Sequence, residues 1–458
     1  MSENTRARTE PEPGLQIERG GKMFKEACGV FAISSNGVDI LDDLYLGTFY
    51  LQHRGQEYCG LSTFDGKDIK IRTHKGLVRA TFEDDLPGLE GTSGIGHASL
   101  KDRQPIKFYS KMGEFTICFS GNIINAKELI DKFKAQGHSF YSNEDIEIIA
   151  KLIAQGSNFV EGIEKMAEEV KGSYAIALLS KDGIFIARDK FGYKPMIIGQ
   201  RDGVIAVASE SCSFNNLGIS IVRDVKPGEI IYLKDGKMNT EKVVKSDITQ
   251  FCTFEWIYFA EMASIMDGVS VAIARKNMGA CLAKRYPVPA DVISPVPNSG
   301  IGHALGYAME SKIPYDYVFV KYGYSSRSYT KPTQEERDRE AKIKLITIAP
   351  NVKGKRIVLC DDSIVRGTQM KNDLVVKLRN AGAKEIHVRI ACPPLKSPCK
   401  YGKSTRSKKE LAATSRTVED IRKYIGVDSL GYNTLEDLES SLGMTRKQIC
   451  TSCWMEGG

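Results

Sequence analysis

Short apolar runs of strand length recur along the first half of the chain, beginning with CGVFAIS at Cys28 to Ser34. ICFSGNI, GSYAIALLS, GIFIARD, GVIAVAS and GEIIYL follow, separated by Gly, Asp-Gly and Lys-Asp-Gly turns. Helical patterns lie between them, in LDDLYLGTFYLQHR and EDIEIIAKLIAQ. Strands in clusters with helices inserted predict an α+β layered domain that reaches about Leu233. The second half reads differently. ADVISPVP, YDYVFVKY, KRIVLCDD and EIHVRIAC have the unbroken apolar character of buried strands. They alternate with the helical stretches IGHALGYAMESK and QMKNDLVVKLRNAG, the latter stopped by Gly382. That alternation predicts an α/β domain with a parallel sheet and crossover helices. The boundary falls between Lys245 and Phe251. Residues 1 to about 22 are rich in Pro, Glu, Arg and Gly without apolar periodicity, which predicts disorder. From Lys403 onward the pattern is helical and charged, and it ends in QICTSCW. The expected units are therefore 1–27, 28–248, 249–402 and a helical tail, 403–458.

Composition narrows the class without changing that division. A chain of 458 residues with 42% hydrophobic and 26% charged positions is ordinary for a globular protein of two or three domains. The net charge of +7 suits anionic small molecules. Its only basic run, KSTRSKKE, has no interleaved aromatics and reads as a solvated face, so nucleic acid is not an expected partner. No run of 18 apolar residues predicts a membrane span, and the polar N-terminal stretch lacks a secretory pattern, so a cytoplasmic location is expected. Eleven cysteines in such a compartment read as buried thiols, nucleophiles or metal ligands. The six histidines form no HxH or HxxxH pair, and His53 and His97 read as structural.

The chemistry concentrates in IVLCDDSIVRGT, Ile357 to Thr368. A buried strand delivers Asp361 and Asp362 at its C-terminal end, where ligands sit in open α/β sheets. The turn that follows, with the hydroxyls of Ser363 and Thr368 and with Gly367 before a helix, has the makings of an anion cradle. Carboxylates beside a phosphate cradle make sense if they hold ribose hydroxyls and a metal.

This segment resembles the ribose-diphosphate signature of type I phosphoribosyltransferases. The chain from 28 to 453 is similar to the glutamine phosphoribosylpyrophosphate amidotransferases, through LQHRGQE (51–57), RDVKPGEII (223–231), DGVSVAIARKNMG (267–279), PVPNSGI (295–301) and KPTQEER (331–337). The resemblance implies an N-terminal nucleophile (Ntn) glutaminase domain of αββα layers, then a type I phosphoribosyltransferase domain. It implies formation of 5-phosphoribosylamine, pyrophosphate and glutamate from phosphoribosyl pyrophosphate, glutamine and water. Asp361 and Asp362 would bind Mg²⁺ and the ribose, with Ser299 as a further Mg²⁺ ligand. Ser363, Ile364, Val365, Arg366, Gly367 and Thr368 would hold the 5′-phosphate, and Arg327 would reach an anion from a mobile flap. A homo-oligomer, dimer or tetramer, is also implied.

In the family a cysteine freed at the N-terminus attacks the glutamine amide, its own amine acting as base. Cys28 heads the matching CGVFAI, so removal of residues 1–27 is expected. Gly121 fits the backbone oxyanion donor, Arg54 the carboxylate-binding Arg and Asp145 the ammonium-binding Asp. Elsewhere the pattern departs. GHASLKD replaces a GHVRYST-like segment, so Ser99 stands where an Arg should clamp the substrate carboxylate, and Asp102 stands near the place of its hydroxyl partner. Ser120 replaces the oxyanion Asn. These changes predict weak or altered glutaminase activity, with Lys101 or Arg103 as replacement cations and ammonia or another amide as alternative nitrogen source. A regulator that only senses the sugar diphosphate is the rival from a different class.

Cys450 and Cys453 form a CxxC near the C-terminus. With Cys252 and Cys399 they match the ligands of family members that carry a [4Fe–4S] cluster, and a Cys₄ zinc would use the same residues.

Overall fold

The computed structural model describes residues 28–142, 144–323, 344–402 and 407–456. The strand alternation of the first half resolves into two antiparallel sheets. The first contains β1 (Gly29–Ser35), β2 (Tyr58–Phe64), β3 (Ile69–Lys75), β4 (Ser93–Ser99), β9 (Ile197–Arg201), β10 (Val204–Ala208) and β11 (Ser220–Asp224), in the order β11-β9-β10-β1-β4-β2-β3. The second contains β5 (Ile106–Ser110), β6 (Gly113–Ile123), β7 (Gly172–Ser180), β8 (Gly183–Arg188), β12 (Glu229–Lys234) and β13 (Lys237–Val243), in the order β13-β12-β8-β7-β6-β5.

The two-residue period of the strands decides which layer each side chain joins. On β1, Val30 and Ala32 face the second sheet and pack with Ala175, Ala177 and Ile186. Phe31 and Ile33 face the other way, with Leu44 of the helix Leu41–Phe49. On the second sheet Phe115, Ile117 and Phe119 turn outward to the helices Ala126–Ala135, Asp145–Ile153 and Phe159–Glu169. The result is the αββα layering expected.

The second half is built on a four-stranded parallel sheet of Val292–Pro295, Arg356–Asp361, Glu385–Ile390 and Ser429–Tyr432, in that spatial order. Two expectations change here. The YDYVFVKY segment is not a strand of this sheet: Phe319–Lys321 pairs antiparallel with Leu345–Thr347. Val320 and Lys321 are exposed, as in a peripheral ribbon. The tail is not purely helical either. Ser429–Tyr432 supplies the outer strand of the parallel sheet, between helices Val418–Ile425 and Leu435–Leu442, each opened by a threonine capping box. The fold unit therefore continues well past residue 402.

The halves share one apolar core, in which Phe31 and Phe214 are continuous with Trp256, Val271 and Ile357. The chain end returns to the junction: Phe251–Cys252 pairs in parallel with Ile449–Cys450, and Trp454 stacks on Phe254 at 4.9 Å. Arg188 spans the halves with two hydrogen bonds to Asp267, 2.7 and 2.9 Å. Among the described residues no helix is long and apolar enough to cross a membrane.

Helices Val271–Arg285 and Ile301–Ser311 cross at glycines. A Cβ on Gly306 would lie 1.9 Å from the Lys276 carbonyl oxygen. Gly306→Ala should therefore part the helices and lower the unfolding free energy by about 1–3 kcal/mol, read as a lower denaturant midpoint.

Candidate active site

The strand Arg356–Asp361 is apolar at Ile357, Val358, Leu359 and Cys360, all fully buried, so its C-terminal end is held firmly beneath the site. Asp361 and Asp362 follow directly. The facing loop brings Ser299, whose hydroxyl donates to Asp361 Oδ1 at 2.9 Å. Close approach of that loop needs a glycine: a Cβ on Gly300 would lie 2.1 Å from the Cys360 carbonyl oxygen. The backbone N–H of Asp362 also donates to Asp361 Oδ1, 2.9 Å, and Ser363 Oγ donates to Asp362 Oδ2, 2.5 Å. Burial, then the neighbouring Asp362 charge, push the Asp361 carboxyl well above its ordinary range. Such a pair wants a cation.

The turn has an inner and an outer side. Ile364 and Val365 are buried and anchor it, helped by the Ala412 N–H, which donates to the Val365 carbonyl at 2.7 Å. Arg366 and Thr368 face outward, and Arg366 pairs with Glu410 at 2.7 Å. Gly367 has φ +76°, a conformation that glycine adopts without strain. The chain turns there into a helix, so the turn and the helix N-terminus share one mouth. Arg275 was not anticipated. Its buried guanidinium donates to the carbonyls of Trp256 and Ala260 at 2.8 and 2.7 Å and faces the Asp362 charge. Arg327 and KPTQEER lie outside the described residues.

The second constellation surrounds Cys28 at the start of β1. Ser120 Oγ donates to the Cys28 carbonyl at 3.0 Å, and the Cys28 thiol lies 3.7 Å from Ser99 Oγ. Gly121 on β6 pairs with Tyr174 on β7, and a Cβ there would lie 2.1 Å from the Ser173 carbonyl oxygen. Asp145, the buried first residue of its helix, accepts from the Ile123 N–H at 3.2 Å. Cys28, Ser120, Gly121 and Asp145 thus gather around one end of β1 and β6.

Arg54 does not join them as a free clamp. Its side chain is fully buried. Nε donates to the Cys28 carbonyl at 3.4 Å, while the guanidinium pairs with Glu210 and, at 2.9 Å, with Glu255. Two buried anions of the chain itself thus already share the guanidinium that the resemblance assigns to a substrate carboxylate. Glu210 is a hub, taking bonds also from His53, Ser264 Oγ and the Glu261 N–H. The replacement cations are engaged as well. Lys101 pairs with Glu144, and Arg103 lies 5.9 Å over the Tyr58 ring. Ser99 Oγ accepts from the N–H groups of Lys101 and Asp102, 3.0 and 3.1 Å, and so fixes their turn. His97 is structural, since burial pushes it down to about 4 and its Nε2 bonds the Phe119 carbonyl.

Four cysteines converge at the junction. Cys252 and Cys450 are direct partners on paired strands, and the Cys399 and Cys453 thiols are hydrogen-bonded to each other. That bond, opposed by burial, brings Cys399 down to about 6. Among the described residues no three His, Cys, Asp or Glu side chains already form a metal-holding group, so a bound metal would have to draw these thiols closer.

Residues 95–216 match the family described as "Glutamine amidotransferase domain". The chain is 39% identical over 449 residues to the amidophosphoribosyltransferase of Methanothermobacter thermautotrophicus, covering 95% of this chain and 94% of that one. It is 36% identical to the Bacillus subtilis amidophosphoribosyltransferase, covering 94% and 92%. It superposes on the solved glutamine phosphoribosylpyrophosphate amidotransferase of Bacillus subtilis, in complex with ADP and GMP, with a TM-score of 0.88 at 35% identity, over 93% of this chain and 96% of that one.

The Arg54 geometry makes a direct claim about stability. Arg54→Met should leave Glu210 and Glu255 buried without their cation and cost about 3–5 kcal/mol in chemical denaturation. A variant of unchanged stability that lost only glutamine affinity would restore Arg54 to the role of substrate clamp.

Proposed function

The chain belongs to the amidophosphoribosyltransferase family, and on that premise we propose how its residues divide the work. The protein is an amidophosphoribosyltransferase, with a glutamine amidotransferase domain joined to a phosphoribosyltransferase domain, and catalyses the first step of purine biosynthesis. One observation supports the assignment of sites most: Ser299, Asp361 and Asp362 meet at the edge of the parallel sheet, beside the Ser363–Thr368 turn. There the backbone N–H groups of the turn receive the 5′-phosphate, and the carboxylates hold the ribose hydroxyls. Mg²⁺ fits the donor set, an oxygen-only group with two like charges in need of a cation. Ser299, Asp361 and Asp362 would hold it, and when bound it neutralises charge on the departing pyrophosphate.

At the other site the Cys28 thiolate attacks the amide carbon of glutamine, and the α-amino group of the matured Cys28 takes the thiol proton and passes it to the leaving ammonia. The Gly121 N–H stabilises the oxyanion, water then hydrolyses the thioester to glutamate, and Asp145 holds the substrate ammonium. Ammonia attacks the anomeric carbon as the bond to pyrophosphate breaks. With Ser99 and Ser120 in place of a clamping Arg and an oxyanion Asn, and with Asp102 adding like charge, glutamine is held and turned over weakly at the Cys28 site. Cys252, Cys399, Cys450 and Cys453 fit a [4Fe–4S] cluster by number and type, with zinc as the rival. Iron and sulfide determination on anaerobically purified protein separates the two.

Pyrophosphate release tests the division. Cys28→Ala should abolish release with glutamine and leave release with ammonium intact, whereas Asp362→Asn should lower both by about 10²-fold or more. Loss of ammonium-supported release in Cys28→Ala would contradict the separation of sites. Ser120→Asn should raise the glutamine-supported rate by about 10²-fold, measured as glutamate formed. An unchanged rate would show that the serine hydroxyl already serves the oxyanion.

A further inference from the structure

Gly121 carries no side chain to anchor its own peptide, so its N–H stays where its neighbours hold it. It sits near the end of β6, opposite Tyr174, and the next pair, Asn122 with Ser173, lies close to where both strands stop. Strand ends fray unless something ties them. Here the tie comes from the other half of the chain. The buried Ser173 hydroxyl donates to the Tyr401 carbonyl at 2.6 Å, and Asn122 Nδ2 donates to the Lys400 carbonyl at 2.8 Å. The pair beside Gly121 is thus gripped by residues 228 and 278 positions away.

Tyr401 makes a second grip. Its ring stacks on Tyr193 at 3.9 Å and 19°. Tyr193 stands on the loop between β8 and β9, where the buried Asp189 carboxylate accepts from the Tyr193 N–H at 3.0 Å and from the Tyr174 N–H at 3.4 Å. Tyr174 is the cross-strand partner of Gly121, so both grips end on the strand pair at that glycine. At its other end the segment is rooted beneath the acidic pair. The Ala391 and Cys392 N–H groups donate to the carbonyls of Asp361 and Asp362, at 3.0 and 3.1 Å. Midway, the Lys396 and Ser397 N–H groups donate to the Cys453 carbonyl at 2.9 and 3.2 Å. Residues 391–401 thus form a strut with fixed points along its length.

We propose that this strut completes the glutaminase site from outside its domain, and that Ser173 and Tyr401 are positioning residues that hold the Gly121 N–H against the developing oxyanion. Both act through Gly121 and not on glutamine itself. The inference rests on the reading of Cys28 as nucleophile and Gly121 as oxyanion donor.

Full-length parent, Ser173→Ala, Tyr401→Ala and Tyr401→Phe are compared in glutamate formation across a range of glutamine concentrations. Ser173→Ala and Tyr401→Ala should lower kcat about tenfold at nearly unchanged KM, because the donor acts on charge that develops only in the transition state. Tyr401→Phe keeps the ring stack and the backbone carbonyl, and should stay within about twofold of the parent. Alkylation of Cys28 by iodoacetamide builds no oxyanion. Followed by mass on the peptide that contains Cys28, it should proceed at the parent rate in every variant, as should ammonium-supported pyrophosphate release. Unchanged kcat in both Ser173→Ala and Tyr401→Ala, or a fall shared by iodoacetamide labelling, would overturn the proposal while the site reading stands. A parent that forms no glutamate, or whose glutamate formation persists in Cys28→Ala, removes the site reading and the proposal with it. Should Ser173→Ala fail to fold, the contrast of Tyr401→Ala with Tyr401→Phe decides alone.

Discussion

Two adjacent carboxylates at the tip of one buried strand impose the constraint around which the second half of this protein is arranged. Asp361 and Asp362 cannot both ionise comfortably in a site that burial has partly dried. Fully buried Ile357, Val358, Leu359 and Cys360 leave the strand no freedom to carry them away from each other. Ser299, Ser363 and the Arg275 charge relieve part of the strain without removing it. What remains is a standing demand for a cation, beside a turn built to receive an anion. On the proposed reading, a substrate that arrives with its own divalent metal would satisfy both at once.

The glutaminase half is tied to that site through buried charge. Arg54 touches the Cys28 carbonyl on one side and Glu255 on the other, and Glu255 opens the short helix whose Trp256 and Ala260 carbonyls hold Arg275. Arg275 in turn faces Asp362. Cys28 and Asp362 are thus linked by hydrogen bonds as far as Arg275 and by charge from there on. A second tie runs through the thiols, where the chain end pairs with Phe251–Cys252 and Trp454 stacks on Phe254.

The sequence revealed the layers and the acidic turn at the strand's tip because both depend on local pattern. Alternation along β1 sorts Val30 and Ala32 from Phe31 and Ile33, and the acidic pair sits at the end of an unbroken apolar run. Short or edge elements carry less signal. SLGY is four residues between two strongly capped helices, and YDYVFVKY is apolar enough for a core strand yet pairs only at the periphery. The engagement of Arg54 was invisible for a different reason: its partners lie 156 and 201 residues away, and motif position says nothing about distant anions. Arg275 was missed likewise, since the Trp256 and Ala260 carbonyls and the Asp362 charge that it faces leave no mark on its own segment.

Calorimetric titration of phosphoribosyl pyrophosphate into the intact protein, with and without Mg²⁺, tests the central claim most directly. The account requires saturable uptake with Mg²⁺ and little or none after chelation, since the carboxylate pair otherwise repels the diphosphate. Uptake of equal strength without the metal, or none in its presence, would contradict it.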